Sequence, residues 1–152
     1  MRLTFLSFLL LPLLSLSACH STGGATCCDP QTVIESVATS HPGCTRLSVH
    51  CTPAGASGMV ACASTSADRR GKPSDPEDMQ VVKSGKQVVM EQGGDLDVTI
   101  PICMKDGAYT AACGVTLKRS GAMTREQLVA EAEAIAKAVE AGMGTCGTSC
   151  CK

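Results

Sequence analysis

Beyond residue 18 the chain carries one aromatic side chain, Tyr109. Both phenylalanines, Phe5 and Phe8, fall in the first eighteen residues, and tryptophan is absent. Aromatic residues bury about 150–250 Å² each and dominate most cores. A fold made without them must fill its interior with Val, Ile, Leu, Met, Ala and Cys. The same scarcity rules out an aromatic cage for quaternary amines and stacking platforms for single-stranded nucleic acid.

The first eighteen residues explain where such a core has to work. Arg2 supplies a positive start, and "LTFLSFLLLPLLSL" is an almost unbroken apolar run to Leu16. A membrane-spanning helix needs about 20 apolar residues, so this run, interrupted by Pro12, reads as a secretory signal peptide. Its end, Leu16-Ser17-Ala18-Cys19, resembles a bacterial lipobox. That resemblance implies cleavage before Cys19 and acylation of Cys19, which would hold the protein to a membrane. Each buried CH₂ of such chains contributes about 0.8 kcal/mol. An ordinary signal peptide cut near Ala18 is the alternative. His20 stands where an Asp often marks inner-membrane retention, which points to the outer membrane, facing the periplasm. Residues 1–18 are thus expected to be the leader, 19–26 a lipidated tether, and 27–152 a single domain.

Export changes how cysteine reads. Of eleven cysteines, ten remain after Cys19: Cys27, Cys28, Cys44, Cys51, Cys62, Cys103, Cys113, Cys146, Cys150 and Cys151. In an oxidising compartment an even set suggests disulfides, each contributing about 2–4 kcal/mol. Loss of Arg2 takes the formal charge from −1 to about −2, so no basic face and no nucleic-acid partner is implied.

Hydrophobic periodicity gives the elements. Asp29-Pro30 opens a helix with Val33, Ile34, Val37 and Ala38 on one face. "CTRLSVHCT" alternates, with Leu47, Val49 and Cys51 against Arg46, Ser48 and His50, as a half-buried strand does. "PAGASG" turns into a second strand, "MVACAST", and "SADRRGKPS" reads as a loop. Asp75 and Pro76 start a short helix, with Glu77 and Asp78 at its positive end and Gly85 as its stop. "QVVMEQ", "DLDVTIPICM" and "YTAACGVTLKR" are three more strands, the last two joined at Asp106-Gly107. Thr124 and Gln127 form a capping box on a long last helix with Leu128, Ala132, Ile135 and Val139 on one face. The order implies an α+β domain. It has a five-stranded antiparallel sheet, an N-terminal helix, a short connecting helix and a long C-terminal helix.

The stretch "GKPSDPEDMQVVKSGKQVVMEQGGDLDVTIPICMKDGAYTAACGVTLK" resembles the second half of an extracytoplasmic PAS-like sensor domain of the Cache type. The likeness spans about residues 29–120. It implies a helix behind the sheet and, on the opposite face, a pocket for small metabolites such as carboxylates or amino acids. It implies a binding or scaffold domain and no enzyme.

Several residue groups are candidates for chemistry. Arg46, Ser48 and His50 share a polar strand face that can meet Asp97, Thr99, Thr110 or Thr116, with Arg46 as the partner for a carboxylate. His41, Cys44, His50 and Cys51 offer zinc or copper ligands, but His50 and Cys51 are strand neighbours and point to opposite faces. Cys27-Cys28 and the Cys146, Cys150, Cys151 group flank the domain. Bridges between them would staple the terminal helices, with a metal cluster or free thiols as alternatives. No Cys-x-x-Cys, haem-attachment or Gly-x-Ser-x-Gly motif is present. Asp75, Glu77 and Asp78 read as helix capping. The expectation is a lipid-anchored, non-catalytic periplasmic binding domain for a small molecule or protein partner, with no cofactor. A metal-binding envelope lipoprotein and a purely structural lipoprotein are the alternatives.

Overall fold

The computed structural model describes residues 29–105 and 108–143, and side chains throughout these except at 103–105, 108 and 109. The leader, Cys19 and the tether, Cys27 and Cys28, and the Cys146, Cys150, Cys151 group lie outside the described residues.

The elements follow the expected order. They are α1 (Pro30–Ser40), β1 (Cys44–Cys51), β2 (Val60–Ser64), α2 (Pro76–Ser84), β3 (Val88–Gln92), β4 (Asp95–Lys105), β5 (Ala108–Leu117) and α3 (Arg125–Met143). The stretch read as a loop after β2 contains one 3₁₀ turn, Ala67–Arg69. The helix starts form as their sequences require. Asp29 accepts from the backbone N–H groups of Gln31 and Thr32. Thr124 N–H donates to Gln127 Oε1 at 2.8 Å while Gln127 N–H donates to Thr124 Oγ1 at 3.3 Å, satisfying two otherwise orphaned donors. Gly85 ends α2 at φ 66°, a left-handed conformation that a side chain would strain.

The five strands form one sheet in the order β2-β1-β5-β4-β3, antiparallel throughout. Alternation sorts its two faces. Leu47, Val49, Leu96, Val98, Cys113, Val115 and Leu117 form the apolar face. Ile34 of α1 and Leu128, Ala132, Ile135 and Val139 of α3 cover it. The interior is the aromatic-free, aliphatic one that composition demanded. Each fully buried Val, Leu or Ile contributes about 1.5–3 kcal/mol.

Cys51 lies in this core and is bridged to Cys62, with their Cα atoms 6.0 Å apart. Cys62 is the extra residue that β2 carries where its register against β1 shifts. The bulge brings the two sulfurs together across the hairpin. Cys113 is completely buried in the central strand. Cys44 is half-buried at the start of β1. Cys103 belongs to β4.

Candidate functional site

The other face of the sheet is polar, and it is not left to solvent. Arg46, Ser48 and His50 from β1 stand beside Gly114 of β5 and Asp97 and Thr99 of β4. Ser48, His50, Thr99 and Thr116 are buried although all are polar. The lid is α2 with the turn before it, which bring Arg69, Asp75, Glu77 and Asp78 over the strands. Between sheet and lid remains a chamber of about 20 Å³, roughly the room one water needs.

At the centre His50 meets Asp78. His50 Nδ1 lies 3.0 Å from Asp78 Oδ2 and 2.9 Å from Ser74 Oγ. Asp78 Oδ2 also accepts from Asp75 N–H at 2.9 Å, so one carboxylate both caps α2 and pins it to the sheet. The two groups are 9% and 4% exposed. Burial pushes the Asp78 carboxyl up from 3.8 to about 6 and the His50 imidazole down from 6.5 to about 4, because each loses its charged form's hydration. At neutral pH the imidazole is therefore neutral. Its contacts assign the proton to Nδ1, donated towards the carboxylate, and leave Nε2 as an acceptor. Nε2 faces Gly114, where an added Cβ would sit 3.7 Å from it.

Arg46 is already engaged. It donates to Asp97 Oδ2 at 2.9 Å and Gln92 Oε1 at 3.0 Å, while Thr116 donates to Asp97 Oδ1 at 3.2 Å. Arg69 pairs with Asp75 at 3.4 Å. Ser48 and Ser64 share a 2.9 Å hydrogen bond across β1 and β2. The lining thus holds the carboxylates of Asp75, Glu77, Asp78 and Asp97 against the guanidinium groups of Arg46 and Arg69.

Of the residues expected to line a ligand site, Arg46, Ser48, His50, Asp97 and Thr99 come together around this chamber. Thr110 does not join them: it is exposed, near the start of β5, several residues from Gly114. Sequence reasoning missed Asp78, Asp75, Glu77 and Arg69 as lining residues. The only signal was that Asp75-Pro76-Glu77-Asp78 opens a helix. Nothing local says that this helix start lies on His50.

The four candidate metal ligands are not brought together. His41 Nδ1 pairs with Glu131 Oε1 of α3 at 2.8 Å. The Cys44 thiol donates to Arg46 O at 3.3 Å, and burial pushes it up to about 11. Cys51 is bridged to Cys62 on the apolar face, opposite His50. Among the described residues no group of three or more His, Cys, Asp or Glu side chains is placed to hold a metal ion.

No protein-family model matches this chain, and neither does any curated protein. Solved structures do share its layout. The GAF domain of an Acinetobacter phosphoenolpyruvate-protein phosphotransferase aligns with a TM-score of 0.50 at 11% identity, over 72% of this chain and 76% of its own. A GAF domain/HD domain protein from Geobacter sulfurreducens aligns with a TM-score of 0.52 at 10% identity, over 76% and 94%. These likenesses show the fold: α+β, of the PAS-like kind to which GAF domains belong. Both of these structures are of GAF-domain proteins; nothing in them shows the narrower Cache type that the sequence pattern resembles.

Proposed function

We propose that this GAF-like domain is a non-catalytic binding module for a small polar molecule, carried on a lipid-anchored protein of the bacterial envelope. One observation carries the reading: α2 closes the polar sheet face through a buried His50–Asp78 pair. Taking ionisable groups out of water costs several kcal/mol each, and an apolar helix would seal a sheet more cheaply. Ionisable groups with displaced titration in a cleft are a mark of functional sites.

The chamber as it stands is water-sized, so a metabolite enters only as α2 lifts. The lid is nine residues long and stands between a proline at its start and a left-handed glycine at its end. Arg46 answers to Asp97, and carboxylates outnumber guanidinium groups in the lining. A ligand bearing an ammonium group, such as an amino acid or amine, suits that balance better than a simple acid. His50 is not set in a nucleophile–histidine–acid triad. In a nucleophile–histidine–acid triad the hydroxyl and the carboxylate take opposite ring nitrogens. Here Ser74 and Asp78 share Nδ1. The anchor and the envelope location rest on Leu16-Ser17-Ala18-Cys19.

A purely structural role is the second reading. It is favoured by the fact that, among the described residues, every buried side-chain nitrogen and oxygen has a partner. A thermal-shift panel of small acids, amino acids and amines, run on wild type and Gly114→Ala, separates the two. Binding predicts that ammonium-bearing compounds raise the wild-type midpoint and leave the filled-chamber variant unmoved. If no compound shifts the wild type, or both proteins shift equally, the chamber is structural.

A further inference from the structure

We propose that the outer edge of β3 is an interaction surface for a second copy of this chain, which adds its own β3 antiparallel and continues the sheet. An edge strand presents a row of backbone N–H and C=O groups that template pairing with another chain. The sheet has two such edges, β2 and β3, and the fold treats them differently. Along β2, Ala61 N–H donates to Lys72 O and Gly71 N–H to Ala61 O, both at 2.9 Å. Val60 bridges Pro73. Gln31 of α1 closes the end of the strand, accepting from Ser64 N–H at 3.0 Å and donating to Ser64 O at 3.1 Å. The register shift against β1 distorts this strand further.

β3 has none of this protection. It pairs with β4 residue for residue, from Val88↔Thr99 to Gln92↔Asp95, without a bulge. It holds neither proline nor lysine. The two-residue turn Gly93-Gly94, with both glycines at positive φ, closes on Gln92 and Asp95 as a hydrogen-bonded pair. Alternation then turns the backbone groups of Val88, Met90 and Gln92 towards β4 and leaves the N–H and C=O of Val89 and Glu91 pointing outward. Among the described residues no backbone group meets them. β4 runs on past β3 to Lys105. Its next outward position is Pro101, which pairs with Ala112 of β5. Proline has no N–H to offer, so β4 is blunted where it leaves β3.

A second copy fits this edge by symmetry and by charge. The first three residues of β3, Val88, Val89 and Met90, are half-buried and apolar. Lys83 and Lys86 lie before the strand, and Glu91 and Asp95 lie at its other end. A two-fold axis at Val89 sets Val89 against its own copy as a hydrogen-bonded pair. It sets Val88 against Met90 on one face and Lys86 against Gln92, beside Glu91. Apolar residues thus meet at the centre, and the basic end of each strand meets the acidic end of the other, twice in the dimer. Glu91 is exposed although Arg119 of its own chain donates to it at 2.7 Å. A carboxylate has room for a second cation.

Light and heavy-isotope copies of the full chain, mixed and coupled with a carbodiimide that joins an amine directly to a carboxylate, test the pairing. The expected result is a Lys86–Glu91 cross-link of mixed isotope, with sedimentation at twice the chain mass at millimolar concentration. Val89→Pro removes an outward N–H and leaves the ladder to β4 intact, so it should sediment as a monomer with an unchanged circular dichroism spectrum. Where that variant does not fold, the exposed charges decide. Lys86→Glu should weaken dimerisation by about 3–30-fold, and adding Glu91→Lys should restore it. A wild type that stays monomeric, a dimer indifferent to these substitutions, cross-links from β3 to a different protein, or mixed-isotope cross-links confined to α1 and α3 would each overturn the proposal.

Discussion

The His50–Asp78 pair makes a prediction whose sign depends on which partner is removed. In the folded protein Asp78 titrates near 6, above its ordinary 3.8, and His50 near 4, below its ordinary 6.5. Between about pH 4 and pH 6 the folded pair therefore holds one proton, on Asp78. The unfolded chain also holds one, on His50. Stability follows the difference in bound protons, so the intact pair leaves the stability of the wild type nearly independent of pH across that window. Asp78→Asn leaves His50 alone. Its lowered folded value means that its contribution is present above pH 6.5 and is lost as pH falls towards 4. At about 1.4 kcal/mol per unit, the loss is on the order of 3 kcal/mol relative to wild type. His50→Asn leaves Asp78 alone. Its raised folded value means that its contribution is present below pH 3.8 and is lost as pH rises through 6. That variant should gain on the order of 3 kcal/mol relative to wild type on going from pH 7 to pH 4. Asparagine at either position can keep a hydrogen bond to the partner. Urea unfolding of the three proteins from pH 4 to pH 7.5 is the assay. Two variants that both run parallel to the wild type would refute the claim that α2 is held down by a desolvated ionisable pair.

Other consequences follow from packing. Reducing Cys51–Cys62, or replacing both by serine, frees a link across eleven residues and should cost about 2–3 kcal/mol in denaturant unfolding. Gly142→Ala would ordinarily stabilise a helix by about 1 kcal/mol. Here its methyl meets Val33 and should instead destabilise by about 1–3 kcal/mol, with much of that recovered in the Val33→Ala background. Gly114→Ala meets His50 Nε2 at an ordinary contact distance, so circular dichroism melts should place it close to wild type while it fills the chamber.

What could be read without coordinates was local. The alternation of "CTRLSVHC" and "DLDVTI" assigned Leu47, Val49, Leu96 and Val98 to one face and Arg46, Ser48, His50, Asp97 and Thr99 to the other, as the sheet has them. Aspartate followed by proline at 29–30 and 75–76 marked two helix starts. What escaped was set by register and tertiary packing. Thr110 has the parity of Gly114 and Thr116, but the pairing of β5 with β4 places it towards the other end of the strand, beyond Ala111, which pairs with Ile102, and away from Asp97 and Thr99. Asp78 looks like any acidic residue in a first helical turn. Its burial against His50 depends on α2 crossing β5 and β4 beside β1. The Cys51–Cys62 pairing depends on a bulge that periodicity does not reveal.

The central claim is that the chamber between α2 and the polar sheet face binds a small molecule. Backbone chemical-shift mapping during titration with a pooled set of amino acids and amines tests it most directly. The account predicts saturable shifts at Ser48, His50, Asp78, Thr99 and Gly114, with the α1–α3 face unmoved. No shifts, or shifts confined to α1 and α3, would contradict it.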